Sequence, residues 1–412
     1  MNQSSEHSSV ESLGDSRGFF EGDSQSKYIM NIAIDGTPAF GERAIKRYAL
    51  NLPEFLSAID SENEYCIFYI AYQKELQQKI RRIQKHNFKN SICKIPGRII
   101  LPLWDKFNYP FIEHFTGKID IFHCTDFDVP ASRNAAIVFT LHGVVYLEAP
   151  EWFSHAFVEE SKHRLNIALQ KSKYFISVSQ LTKEKFLDYS KIQDERVRVI
   201  NLGISDEFYQ VKSTQDARGY LKTKYKIDRP YILYVGAIEK RKNVDAVLDA
   251  FKILKEEIKI EHALVLVGQE GFGSNEFMRK IKDYGLEHHV YFTGNISQDT
   301  EDLLFLYNCA DVFAFLSFVE GFTSPPLEAM KCGCPVVTSN ASSLPETVGD
   351  AALKVNPLRP DEIAAAMAKL LTDSETAKNF VHKGLEWASQ FTWERTARET
   401  LVFYRHVYEN MH

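Results

Sequence analysis

The sequence predicts an α/β protein built as two successive halves, each around a parallel sheet. Three observations carry that expectation. The chain has 412 residues, too many for one ordinary core, so two domains of roughly 200 residues each are the starting point. The ordered-looking part opens as strand, helix, strand, a unit that demands parallel pairing. A second run of the same kind begins at Tyr231-Ile-Leu-Tyr-Val-Gly236.

In the first half, Tyr28 to Ile34 reads as a strand and Asp35 to Gly41 as a turn. Ile45, Tyr48, Ala49, Leu52 and Leu56 then recur at helical spacing. Tyr65 to Ile70 is the next strand. Ile119 to Cys124 and Ala135 to Leu141 are two more, each an apolar run that stops at polar residues: Thr125-Asp126 after the first, His142-Gly143 after the second. Phe157 to Ser172 reads as a helix, Tyr174 to Val178 and Val197 to Ile200 as strands. Asp206 to Pro230 is polar and contains a linker. In the second half, strands are expected at Ala263–Gly268, Val290–Gly294, Val312–Phe315, Pro335–Thr338 and Ala352–Val355. Helices are expected from Val244 to Leu254, around Ala364–Leu371, and from Trp393 to Tyr408. Glycines close three of the strands, Gly236, Gly268 and Gly294, a pattern that suits backbone packed close to a nucleotide.

Composition bounds the function. The chain is 44% hydrophobic and 25% charged, as in globular proteins, and its formal charge of −6 argues against a general nucleic-acid binder. No apolar run reaches membrane-span length. The first 27 residues are rich in Ser, Glu and Gly and read as a disordered tail. The six cysteines stand mostly in apolar contexts, which suits buried, reduced thiols and a cytoplasmic setting. One stretch breaks the acidic balance. From Lys74 to Arg98 eight basic residues face a single acid, Glu75. Such a run suits an anionic membrane surface or a charged acceptor, or else a solvated face.

The densest chemistry lies in Glu320-Gly-Phe-Thr-Ser-Pro-Pro-Leu-Glu328. It follows an apolar strand and opens a short helix, at the sheet end where α/β proteins bind ligands. Backbone N–H groups of Gly321, Phe322, Thr323, Ser324 and Leu327, with the helix dipole, favour an anion such as phosphate. Two carboxylates beside an anion need other partners, and sugar hydroxyls suit them. Lys240, Arg241 and Lys242 precede another helix, where an anionic ligand would offset their clash with its dipole. His142 ends a buried strand at the same kind of position.

Together these segments resemble the retaining glycosyltransferases of the GT-B fold, glycosyltransferase family 4. Val235-Gly-Ala-Ile-Glu-Lys-Arg-Lys-Asn243 is similar to that family's strand-and-RKN donor motif. Glu320 to Glu328 resembles its pair of glutamates with seven residues between them. Cys332-Gly-Cys-Pro-Val-Val337 and Ser343-Leu-Pro-Glu346 resemble the segments that follow. Thr140-Leu-His-Gly143 with Pro150-Glu-Trp-Phe153 resembles the stretch carrying the active-site histidine, and Arg196 to Gly203 the end of the first domain.

The resemblance implies two Rossmann-like domains with parallel sheets facing across a cleft. The divisions it suggests are a tail over 1–27, an acceptor domain over 28–205, a nucleotide-sugar domain over 206–392, and a helix over 393–412 crossing back. It implies a retaining, metal-independent sugar transfer with no resident cofactor. GDP-mannose is the favoured donor, with UDP-sugars as the alternative, and the acceptor is a glycan or lipid-linked glycan. By position, Arg241 and Lys242 would bind the diphosphate, helped by amides of Gly321 to Ser324. Glu320 would hold the donor sugar, Glu328 the ribose, and His142 would lie near the reacting carbon. Gly236 would border the site, backbone at Gly294 and Ile296 would meet the base, and Gly41 and Asp126 would face the acceptor. Departures from the family pattern are Ala237, Gly143, Thr323-Ser324, Leu316 and the glycine-poor loop Gly41-Glu-Arg-Ala44. They leave two alternatives: a GT-B protein that binds nucleotides or glycans without turnover, and a nucleotide-sugar epimerase.

Overall fold

The computed structural model describes residues 28–41, 45–271, 274–296 and 301–411. The expected tail over 1–27 and the loop residues Glu42, Arg43 and Ala44 lie outside them. The first sheet comprises β1 (Asn31–Asp35), β2 (Glu64–Ile70), β3 (Phe88–Cys93), β4 (Ile121–Cys124), β5 (Ala136–Leu141), β6 (Tyr174–Ser177) and β7 (Val197–Val199). Its spatial order is β3-β2-β1-β4-β5-β6-β7, and every pairing is parallel. The second comprises β8 (Tyr231–Val235), β9 (Ala263–Val267), β10 (Val290–Gly294), β11 (Val312–Phe315), β12 (Val336–Ser339) and β13 (Leu353–Val355), ordered β10-β9-β8-β11-β12-β13 and again parallel. Helices cover both faces of each sheet. That is why β5, β9, β11 and β12 are buried at every residue and apolar runs, not alternation, mark them in the sequence.

The expected strands are present, but several elements were not legible. The basic stretch is neither a pure loop nor a helix face. It holds a short helix, Lys74–Gln78, and the edge strand β3, whose Lys89 and Asn90 face outward enough to hide any alternation. The polar segment read as containing a linker holds the helix Thr214–Tyr225, seated on the second core through Ala217 and Leu221. The helices Gly97–Phe107, Gln180–Ser190 and Ser374–Ala388 were likewise unforeseen. All six cysteines are buried and unpaired with one another.

The final helix, Trp393–Glu409, packs on the first half of the chain. Trp393, Ala397, Leu401, Tyr404 and Val407 join Tyr48, Leu52 and Leu56 of the helix Ile45–Ile59 in one apolar cluster with the face of the first sheet. A buried polar chain crosses that cluster. Tyr404 OH lies 2.5 Å from His123 Nδ1, and His123 Nε2 lies 2.6 Å from Thr140 Oγ1. Tyr48 OH stands 3.3 Å from the same threonine oxygen. Burial pushes His123 down to about 3, so the ring is neutral and donates through one nitrogen only.

Candidate functional site

In each sheet the strand order reverses once, between β1 and β4 and between β8 and β11. Ligands of open α/β sheets sit in the crevices that such reversals leave at the carboxyl ends of the strands. Around the first reversal lie Asp35 at the end of β1, Thr125-Asp126 past β4, and His142 past the neighbouring β5. Around the second lie Gly236 past β8 and Ser317 to Glu320 past β11.

The second crevice is dominated by Glu320. Its carboxylate is buried and accepts from Lys242 Nζ at 2.6 Å, with Arg241 Nη1 at 3.4 Å. Burial alone would raise its pKa. Lys242 and then Arg241 outweigh that and hold it below the usual carboxylate value. Ser342 and Ser343 clamp its backbone: both hydroxyls donate to the Glu320 carbonyl, at 3.0 and 2.9 Å. Arg241 is fixed on every side. It donates to the Val319 carbonyl at 2.9 Å and to Glu239 at 2.6 Å, and lies 5.8 Å from the Phe153 ring centre. None of the hydrogen bonds between described residues takes up the Phe322 or Thr323 amide. Two cations thus meet one buried carboxylate, and two amides of the loop that follows it carry no hydrogen bond among the described residues.

In the first crevice, His142 Nε2 lies 2.8 Å from the carbonyl oxygen of Thr125. A carbonyl only accepts, so Nε2 carries the hydrogen and Nδ1 has the lone pair. Burial lowers the His142 pKa, against the opposing pull of the Thr125 carbonyl and the Asp126 carboxylate, which keeps the ring neutral near pH 7. Tyr48 presses on the ring edge-on, 5.1 Å between centres. Asp35 is buried, and desolvation pushes it up to about 7. Asp128 is likewise raised by burial, to about 6.

The two crevices meet backbone to backbone. A methyl group on Gly321 would overlap the carbonyl oxygen of His142 and stand 2.7 Å from the Cα of Gly143. Gly143 itself has φ +148 and would crowd the Cα of Gly321 at 3.0 Å if it bore a side chain. The departure at Gly143 therefore has a steric reason: the loops carrying His142 and Glu320 touch. Around this contact, Trp152 stacks on Phe318 with ring centres 5.0 Å apart. Glu346 accepts from the Gln180 amide at 3.0 Å, at the start of the helix Gln180–Ser190 in the other half.

Glu328 lies in the helix Pro325–Lys331 and is 2% exposed. Arg47 Nη1, from the helix Ile45–Ile59 of the first half, donates to its Oε1 at 2.7 Å. Tyr307 OH donates to its Oε2 at 3.0 Å. Both oxygens are therefore engaged, one of them across the cleft.

The structure brings His142, Glu320, Gly321, Arg241 and Lys242 together. Asp126 neighbours His142 past β4, whereas Gly41 sits on an exposed turn after the 3-10 segment Thr37–Phe40. A side chain at Gly268 would overlap the carbonyl oxygen of Gly236, so the packing of neighbouring strand ends by itself requires glycine there. Gly294, at φ +72, opens on free space, while the side chain of Ile296 is buried in the second core. Sequence reasoning missed Arg47, Tyr307, Tyr48 and Thr125. Each acts through a partner between 17 and 281 positions away, and no local pattern marks them.

Residues 47–208 match the family described as Glycosyltransferase Family 4, and residues 221–387 match Glycosyl transferases group 1. The chain is 31% identical over 286 residues to the O-antigen chain mannosyltransferase B of Escherichia coli, covering 69% of this chain and 74% of that protein. It is 32% identical over 201 residues to a GDP-mannose-dependent alpha-(1-6)-phosphatidylinositol monomannoside mannosyltransferase of Mycobacterium tuberculosis, covering 46% of this chain and 51% of the other. Among solved structures, Anabaena Alr3699/HepE in complex with UDP-glucose superposes with a TM-score of 0.67 at 18% identity, covering 92% of this chain and all of that one, a likeness of fold.

Proposed function

This chain belongs to glycosyltransferase family 4 and is a glycosyltransferase using a nucleotide-sugar donor, and we propose that it transfers mannose from GDP-mannose with retention of configuration and without a metal ion. The observation that carries the mechanism is the cluster of Lys242 and Arg241 on Glu320, set directly against the His142–Gly143 loop. As the bond from the sugar to the diphosphate breaks, negative charge grows on the phosphate oxygens and the sugar becomes oxocarbenium-like. Fixed cations lower that barrier because they are already oriented when the charge appears. Lys242 has three donors and spends one on Glu320, so it serves both a phosphate and the carboxylate. Arg241, pinned by Glu239 and the Val319 carbonyl, presents a set direction of charge. The Phe322 and Thr323 amides add donors to the same group.

Glu320 then accepts hydroxyls of the transferred sugar, and Glu328 the ribose diol. Retention follows from attack on the face the diphosphate leaves, with a departing phosphate oxygen taking the acceptor proton. The neutral His142 presents its ring to the donor sugar near the reacting carbon. Asp126 and the turn at Gly41 belong to the acceptor side. Guanosine and mannose are favoured because the relatives include a mannosyltransferase 31% identical over 286 residues and a GDP-mannose-dependent mannosyltransferase 32% identical over 201. Through Lys74–Arg98 the protein contacts anionic membrane, which suits a lipid-linked acceptor.

A panel of nucleotide sugars tests this. GDP and GDP-mannose are expected to raise the melting temperature more than UDP and UDP-glucose, since selective binding stabilises the folded state. Turnover of GDP-mannose is expected to survive a chelator and to give an α-linked product by NMR. Preference for uridine nucleotides would overturn the donor. Binding without hydrolysis or transfer of any donor would overturn the activity.

A further inference from the structure

Glu328, assigned to the ribose, is a covered carboxylate. Arg47 holds Oε1 at 2.7 Å, Tyr307 holds Oε2 at 3.0 Å, and the residue is 2% exposed. Tyr307 comes from the same half of the chain, in the helix Glu301–Cys309, and its hydroxyl is itself buried. It supports the carboxylate from behind. Arg47 comes from the other half and is the more exposed partner, its side chain at 16% against 3% for Glu328. Its guanidinium also lies 5.8 Å from the centre of the Phe208 ring, in the segment joining the halves. A diol arriving from the cleft meets Arg47 first.

We propose that Arg47 is the group that the donor's ribose displaces from Glu328, so that the ribose carboxylate exchanges a partner on the opposite domain for the nucleotide when it binds. The inference rests on the assignment of Glu328 to the ribose. Its physical basis is the cost of leaving a buried carboxylate without a charged partner. In the observed pairing Arg47 meets that cost; with a nucleotide bound, two ribose hydroxyls and Tyr307 would. The exchange also breaks a contact between the halves, so nucleotide binding and domain arrangement are linked through one residue.

Competition has a definite sign. Replacing Arg47 with a neutral side chain destabilises the empty protein, while the nucleotide complex, in which Arg47 has already left, is little changed. Affinity for a ribonucleotide must then rise. The test is calorimetric titration of GDP, UDP and their 2′-deoxy analogues into wild-type protein, Arg47→Met and Glu328→Gln. Arg47→Met is expected to bind the ribonucleotide at least about tenfold more tightly, a change of about 1.4 kcal/mol, and its 2′-deoxy analogue with a smaller gain. If Arg47→Met does not fold, Arg47→Lys, which keeps the charge but not the planar fork, is expected to tighten ribonucleotide binding about threefold. Unchanged or weaker ribonucleotide binding by the folded Arg47 variant overturns the proposal. Glu328→Gln separates the two layers. If it discriminates ribose from deoxyribose as wild type does, the ribose assignment itself fails. If it loses that discrimination while the Arg47 variant gains no affinity, the displacement alone fails.

Discussion

At the scale of single residues, the site sets a buried carboxylate against two partly buried cations and a neutral histidine. Glu320 and Lys242 form a tight pair, but their proposed tasks differ, and substitution separates them. Glu320→Gln is expected to reduce transfer by about a hundredfold or more, the scale of losing an electrostatic group at a reacting centre, while nucleoside diphosphate affinity changes little. Lys242→Ala is expected to weaken diphosphate binding itself, by about tenfold or more, as loss of a charge-assisted contact does. Titration calorimetry beside initial rates reads both, and equal small effects would contradict the assignment. Asp35 carries a pH signature. Its pKa rises from 3.8 to about 7 in the fold because burial disfavours the carboxylate. Between those values the folded state holds a proton that the unfolded state has lost, so stability falls as pH climbs through that window. Asp35→Asn removes the penalty. It is expected to be more stable than wild type at pH 8, by on the order of 2–4 kcal/mol, and to converge with it near pH 4. Melting curves across that range check the sign. The sequence marked Glu320, Arg241, Lys242 and His142 because their spacing is local to one motif each. It was silent on Arg47, since a lone arginine beside a helix stripe has no local reason to face a glutamate 281 positions away.

At the scale of elements, the loops after β5 and β11 decide the site. Both leave buried strands, so their positions are set by sheet pairing and not by their own sequence. They approach so closely that glycine is needed on both sides. Gly321→Ala is expected to push the His142 loop away from Glu320, because the added methyl has no space beside the His142 carbonyl. Transfer should fall by at least about tenfold, since misplacement of about 1 Å costs rate steeply, while nucleotide affinity, assigned above by proposal mainly to Arg241 and Lys242, is expected to hold. Parallel loss of binding and transfer would show instead that the second half had misfolded. The Thr323-Ser324 substitution lies beside this contact, with Thr323 buried and its amide unused by other described residues. The reversals of strand order explain why these loops, and not others, form a crevice. Helical periodicity exposed the helix Ile45–Ile59 beforehand because one face of it is apolar. The helix Thr214–Tyr225 escaped because only Ala217 and Leu221 are fully buried, while its other anchors, such as Tyr220 on Asp302 and Tyr225 on the core, are polar-tipped residues with no apolar stripe around them.

At the scale of the molecule, contacts between described residues that join the halves include the glycine approach at Gly143 and Gly321, the Arg47–Glu328 pair, the Trp152–Phe318 stack, the bond from the Gln180 amide to Glu346, and the helix Trp393–Glu409 lying on the first sheet. No helix among the described residues is long and apolar enough to cross a membrane. The edge of the first sheet beside β3 holds a cavity of about 640 Å³ lined by Arg82, Lys85 and Lys89 with Ile80, Ile83 and Phe88. Vesicles containing anionic lipid are expected to bind the protein more than neutral ones, with binding lost on raising salt to about 0.5 M, because surface attraction is screened within a Debye length. Equal binding to both vesicle types, or none, would remove the membrane role. The sequence alone determined that there are two parallel-sheet halves, that the last helix is amphipathic, and which short motifs carry charge and carboxylates. Those features arise from periodicity and local spacing, which a chain displays before it folds. Only the tertiary structure decided that Arg47 covers Glu328, that Gly268 answers to its neighbouring strand, and that β3 hides within the basic stretch. Each depends on what a residue meets across a sheet or a cleft, and that meeting is made by packing between segments far apart in the chain.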